Sequence, residues 1–243
     1  MSHRAISHRL KTILTLGLLS VSILSSASIW SAPNHKMASS IKPGPGYRAL
    51  EFELPAIGTY TRPKIGEASD GIVINSAGEE TTLYKLMDDK ITLLSFMYTS
   101  CGDINGCPLA SHVLNTVMQR LTEDSRLSDR VQLLSFSFDR LKDSPEVLDR
   151  YASRFKAEKT ENWQFVTAVN DFELERLLAE YNQFVIRDMN ENGEYIGSIS
   201  HLLRVYLIDP SKNLREVYSV SFLHPDIIIN DISTILVNDP QAK

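Results

Sequence analysis

Cysteine is scarce: the chain holds two, Cys101 and Cys107, in 243 residues. A single pair is a thin framework for a chain of this size, so stability must come from a hydrophobic core rather than a disulfide network. A bridge closing so short a loop would itself add little. No cysteine near the N-terminus offers a lipid attachment point, and no CxxCH run offers a haem site. Lysine and arginine form no cluster with interleaved aromatics, and the net charge of -5 argues against nucleic acid as a partner. Internal repeats and low-complexity tracts are missing too. What remains is the composition of a soluble globular protein, 43% hydrophobic and 23% charged.

The N-terminus departs from that average. Arg4, Arg9 and Lys11 precede an uncharged stretch, TILTLGLLSVSIL (12–24), and a small-residue site follows around Ser25 and Ala27. This three-part layout predicts export. Residues 1–30 are read as a signal sequence or an N-terminal membrane anchor, which would leave the body of the protein outside the cytoplasm. Residues 31–70, with Pro33, Pro43, Pro45, Pro55 and Pro63 among glycines, are expected to form an extended arm, with a short strand at ALEFEL (49–54).

Beyond the arm, GIVINSAGEETTLYKL (71–86) predicts a small hairpin. ITLLSFMYT (91–99) and VQLLSFSFD (131–139) are nearly continuous apolar runs, as expected of strands buried on both faces. Between them a helix should open at Pro108 with Cys107 as its cap, its apolar stripe running from Ala110 through Val113, Leu114, Val117, Met118 and Leu121. Ser144 and Pro145 start a second helix, WQFVTA (163–168) reads as a short strand, and residues 170–181 read as a helix capped near Asp171. LLRVYLID (202–209) and LREVYSVSF (214–222) flank the turn PSKN, and a terminal helix over 225–237 turns Ile228, Ile232 and Ile235 inward. The order predicts a mixed α/β sheet flanked by helices.

In such sheets sites lie beyond the carboxyl ends of strands, which is where Cys101 falls. A helix start at Cys107 would favour thiolate over thiol there. The pair can serve as a structural staple, a redox couple or half of a metal site. Asp103 between the cysteines reads as a turn residue, and Asp139 ends the second buried strand, placed to orient a ligand or to bind the backbone after it. Of the six histidines, His3 and His8 belong to the export segment, His35 to the arm, His112 to a polar helix face and His224 to a turn. His201 follows a polar, glycine-containing loop and precedes a strand. Two cysteines and one histidine would make a soft, low-coordinate site suited to copper.

At this point several segments together resemble the Sco/SenC family of thioredoxin-like copper proteins. ELPAIGTYTRPKIGEASDG resembles the family's arm, and FMYTSC with GCP its cysteine motif. SFDRLKDSPEVLDRYASRF is similar to its second strand and helix, and HLLRVYLIDP to its histidine segment. The family usually has three residues between the cysteines; this chain has five, GDING. The resemblance implies a thioredoxin-like copper-binding domain over 71–239, with Cys101, Cys107 and His201 as ligands and Asp139 nearby. It implies a metallochaperone that carries copper, as Cu(I) or Cu(II), for assembly of a respiratory cytochrome oxidase. The partner would be the oxidase's copper-site subunit or another copper carrier, in the periplasm and either free or tethered to the inner membrane. The other reading is a thiol–disulfide oxidoreductase using Cys101 and Cys107, although a CxxC spacing is usual there. The blandest is an interaction domain held by a small disulfide.

Overall fold

Two seven-residue apolar runs fix the centre of the fold. The structure, a computed structural model, describes residues 42–155 and 162–238. The proposed export segment, His35 and the start of the arm lie outside the described residues. The strands in chain order are β1 (Gly66–Glu67), β2 (Ile72–Asn75), β3 (Glu80–Thr82), β4 (Ile91–Met97), β5 (Val131–Ser137), β6 (Trp163–Ala168), β7 (Val185–Met189), β8 (Tyr195–His201), β9 (Val205–Ile208) and β10 (Asn213–Tyr218). The helices are α1 (Leu83–Met87), α2 (Cys107–Glu123), α3 (Ser125–Ser128), α4 (Pro145–Ala152), α5 (Asp171–Glu180) and α6 (Pro225–Asn238).

The eight-stranded sheet runs β1-β10-β9-β4-β5-β6-β2-β3. β4, β5 and β6 are parallel neighbours, while β9 joins β4 antiparallel. Every residue of β4 and β5 is buried, as their nearly continuous apolar sequence predicts. Phe96 on β4 lies within 6 Å of the rings of Phe136, Tyr181 and Tyr206, an aromatic centre for the core. Each such buried ring contributes roughly 1.5–3 kcal/mol. The central polar side chains are paired: Ser95 meets Ser135 at 3.1 Å, and the Trp163 indole donates to Ser135 Oγ at 3.0 Å.

Ser144 caps α4 by accepting from Val147 N, and Ile228, Ile232 and Ile235 are buried on α6, as the sequence predicts. Other expectations need correction. ALEFEL forms no strand; Leu50 and Leu54 pack against the core from irregular backbone. The segment LYKL is helical because Thr82 accepts from Lys85 N and caps α1. The cap of α5, expected near Asp171, is its neighbour Asn170. The polar loop before His201 is a hairpin, β7 paired with β8, and His201 is the last residue of β8. Among the described residues no helix is long and apolar enough to cross a membrane.

Candidate metal centre

Three elements converge on one end of the sheet. β4 delivers Cys101 through a turn in which Cys101 N donates to Tyr98 O at 3.3 Å. The chain then folds back through Asp103–Gly106, where Asn105 N donates to Asp103 Oδ1 and Gly106 N donates to Asp103 O. Asp103 is therefore an exposed turn residue, as the sequence suggests. α2 begins at Cys107 with Gly106 as its cap. A Cβ on Gly106 would stand 3.3 Å from Cys101 Sγ, so the glycine lets that sulfur lie over the helix start. β8 brings His201 from the far side, with Nε2 3.6 Å from Cys107 Sγ.

Both cysteines are free thiols, Cys107 buried and Cys101 part-exposed. Their environments push them apart. The Cys101 thiol is lowered to about 4, chiefly because the Cys107 thiol hydrogen-bonds to it; desolvation opposes this, while His201 and the backbone N–H groups of Cys107 and Asp103 add to it. Cys107 is raised well above the ordinary thiol value by that same hydrogen bond, by burial and by the neighbouring thiolate. The expectation that the helix start would ionise Cys107 is corrected. The Cys107 N–H at that end favours both thiolates, but the hydrogen bond between the sulfurs and burial leave the proton on Cys107.

The histidine is held by rings and by its strand. Phe138 meets the His201 ring edge-on at 4.7 Å and Tyr98 does so at 6.2 Å. The Tyr98 hydroxyl accepts from Ile199 N at 3.2 Å, which ties β8 to the end of β4. Burial pushes that phenol up to about 12. His201 Nδ1 is buried without a partner. The nitrogen that faces the sulfurs is Nε2: its N–H donates to the Cys101 thiolate, and holding a metal there would need the proton on Nδ1 instead.

Asp139 is buried beside Phe138, and its Oδ2 has no hydrogen-bond partner. Its carboxyl is raised by desolvation and by the Asp143 charge, partly offset by Lys142 and Arg187. It does not bond to His201 Nδ1, which is likewise unpartnered. The sequence reading passed over Asp143. This buried carboxylate accepts from Thr99 N at 2.9 Å, from Thr99 Oγ1 at 2.5 Å and from Ser137 Oγ at 2.5 Å, fixing the backbone two residues before Cys101. The only signal for it was its place just ahead of the Ser144–Pro145 helix start.

His112 is exposed, its ring 4.9 Å from that of Tyr47. It lines an open cleft of about 340 Å³ with Cys101, Tyr151 and Arg154. His224 is buried and caps α6: its Nδ1 accepts from Asp226 N at 3.1 Å, so Nε2 carries the proton that reaches Arg48 O at 2.8 Å. Among the described residues no group of three or more His, Cys, Asp or Glu side chains is already gathered at metal-holding distances. His201 Nε2 stands 3.6 Å from Cys107 Sγ, and Cys101 lies close enough for both to lower its thiol; these are donors of the type a soft ion needs.

The fold has known counterparts. Over 162 residues the chain is 26% identical to the SCO1 protein homolog of Bacillus subtilis (strain 168), covering 66% of this chain and 78% of that protein. The crystal structure of Arabidopsis thaliana ScoI with copper bound matches at a TM-score of 0.59 and 20% identity, over 70% of this chain and 98% of that one. A SCO1/SenC family lipoprotein from Bacillus anthracis matches at 0.59 and 24%, over 73% and 99%. The fold is thus thioredoxin-like, a mixed central sheet flanked by helices. The SCO1/SenC family model matches residues 72–237, well over half of the chain and the whole span from β2 to α6, so the protein belongs to the SCO1/SenC family.

Proposed function

We propose that the protein is an exported metallochaperone that carries copper for assembly of a respiratory cytochrome oxidase. Cys101, Cys107 and His201 hold the ion. The observation that carries this reading is the meeting of His201 Nε2 with Cys107 Sγ at 3.6 Å, beside a Cys101 thiol that both of them lower. Two thiolates and an imidazole form a soft, low-coordinate donor set that suits Cu(I). Membership of the family and the copper found in the Arabidopsis relative support it. Loading requires both sulfurs reduced and deprotonated. Cys101 is already a thiolate at neutral pH, so Cu(I) entry displaces the proton of Cys107. Asp139, buried with an unpaired oxygen near this end of the sheet, adds negative potential beside a cationic cargo. The recipient is the oxidase's copper-site subunit or a second copper carrier. The work is done in the periplasm, with the N-terminal segment as signal or inner-membrane tether.

A second reading is favoured by the asymmetry of the thiols. A part-exposed, low-pKa Cys101 beside a buried, protonated Cys107 is the arrangement of an attacking and a resolving thiol. Thiol–disulfide exchange on the cysteines of a copper-site client would use the same pair. His201 separates the two roles, because copper holding needs its nitrogen and dithiol exchange does not. Titration of the reduced protein with Cu(I) should saturate at one equivalent, and His201→Ala should weaken binding at least tenfold. Absence of stoichiometric binding removes the copper reading; unchanged binding by His201→Ala removes His201 from the ligand set.

A further inference from the structure

The loop between the cysteines is held from outside itself. Asn105 Oδ1 accepts from Gly44 N at 2.7 Å, and Asn105 Nδ2 donates to Lys42 O at 3.0 Å. The Tyr47 hydroxyl donates to Ile104 O at 2.8 Å. Two successive loop residues are thus fastened to the segment Lys42–Tyr47. That segment is itself fixed. Gly46 sits so close to its neighbours that a Cβ there would stand 2.4 Å from Leu223 O and 2.5 Å from Val113 Cγ2. The Tyr47 ring packs on His112 of α2, and Arg48 O accepts from His224 at the start of α6. Gly102, in contrast, has open space where a Cβ would stand.

We propose that Asn105, gripped by Lys42–Tyr47, is a positioning residue for the thiol pair, and that the arm thereby belongs to the working site. Asn105 precedes Gly106, the residue over which Cys101 Sγ lies, and Cys107 follows directly. Fastening Asn105 to backbone atoms of the arm fixes the return path of the loop and hence the approach of the two sulfurs. Releasing it gives the dithiol form more conformations and leaves fewer of them with the sulfurs in reach. Disulfide formation becomes less favourable, and so does any bond that needs both sulfurs at once.

This proposal rests on the reading of Cys101 and Cys107 as the working pair, but its test does not need copper. The full chain is equilibrated in glutathione redox buffers, and the ratio of dithiol to disulfide is read by mass after thiol trapping. Protein dithiol and glutathione disulfide give protein disulfide and two glutathione thiols, so electrons and protons balance. Asn105→Ala should lower the equilibrium constant for disulfide formation about tenfold, equivalent to about 30 mV for a two-electron couple. Tyr47→Phe, which removes one hydroxyl, should lower it about threefold. Tyr60→Phe loosens the same arm at its distant anchor on Asp231 and should lose stability while leaving the constant within twofold of wild type. A constant for Asn105→Ala within twofold of wild type overturns the proposal, as does an equal shift in Tyr60→Phe. If Asn105→Ala does not fold, an unchanged constant in Tyr47→Phe overturns it. A parallel Cu(I) titration of the wild type reports on the copper reading alone; a latch effect without copper binding supports this proposal and removes that one.

Discussion

At the scale of single residues, Cys101 and Cys107 divide one proton according to their surroundings. Cys101 collects the hydrogen bond of Cys107 and the backbone N–H groups of Asp103 in the loop and of Cys107 at the start of α2, whereas Cys107 is buried against the thiolate it helps to create. The reactivity of the pair follows. Alkylation of Cys101 by iodoacetamide should stay nearly constant from pH 8 to pH 5 and fall by half near pH 4. An ordinary thiol, with a pKa of about 8.5, would slow about tenfold per unit over the same range. Cys107 should stay unmodified until alkaline pH. Peptide mapping after timed alkylation distinguishes the two, and a Cys101 profile centred above pH 7 would contradict the arrangement. The sign for stability is also fixed. Cys101, lowered on folding, makes the reduced protein gain stability as pH rises from about 4 to the unfolded thiol value near 8.5. Cys107, raised on folding, then takes stability away above that value. What the sequence could not convey was which sulfur the helix start would serve. Spacing put Cys107 at that start, but Gly106 is the cap, and the absence of its Cβ lets Cys101 reach the same N–H groups.

At the scale of elements, the β7–β8 hairpin decides where His201 stands. β4, β5 and α2 were legible because burial on both faces, or along one helical stripe, leaves a dense apolar record. The hairpin leaves almost none. Its residues are mostly exposed or part-exposed, with Ile186 and Ile196 facing outward and Asp188 accepting from Ser198 and Ser200. A ribbon with polar cross-strand pairs reads as a loop, although Asn192-Gly193 between β-branched flanks was the available turn signal. Its attachments include the Tyr98 hydroxyl on Ile199 N, Lys142 4.7 Å from the Tyr195 ring centroid, Phe138 against His201, and Ile199 buried in the core. Tyr98→Phe removes the hydrogen bond while keeping the ring. It should cost about 1 kcal/mol, felt locally as roughly fivefold faster amide exchange at Ile199 and His201. Exchange accelerated equally throughout β4 and β5 would instead mean that Tyr98 supports the whole sheet rather than the hairpin.

At the scale of the whole molecule, the arm closes the structure by joining parts distant in sequence. Arg62 donates to Asp231 Oδ1 at 2.6 Å across 169 positions and to Glu216 Oε2 at 2.7 Å, while the Tyr60 and Tyr218 hydroxyls donate to Asp231 at 2.7 and 2.8 Å. Asp231 is 1% exposed, so its charge is tolerable only with these donors in place. Composition predicts an extended, proline-rich arm, but a network of long-range pairs leaves no local pattern to read. Arg62→Ala removes the cation paired with Asp231 and leaves the two tyrosine hydroxyls to solvate a buried carboxylate. The expected loss is about 3 kcal/mol, seen as a lower urea midpoint with an unchanged slope. Adding Asp231→Asn to Arg62→Ala removes the uncompensated charge and should recover about half of that loss. A single-variant loss under about 1 kcal/mol would mean that water reaches Asp231. Because this anchor grips the arm far from Asn105, the Arg62→Ala protein, while folded, should keep the wild-type thiol–disulfide equilibrium. The arm would then act at two separable points, one closing the fold and one setting the thiol loop.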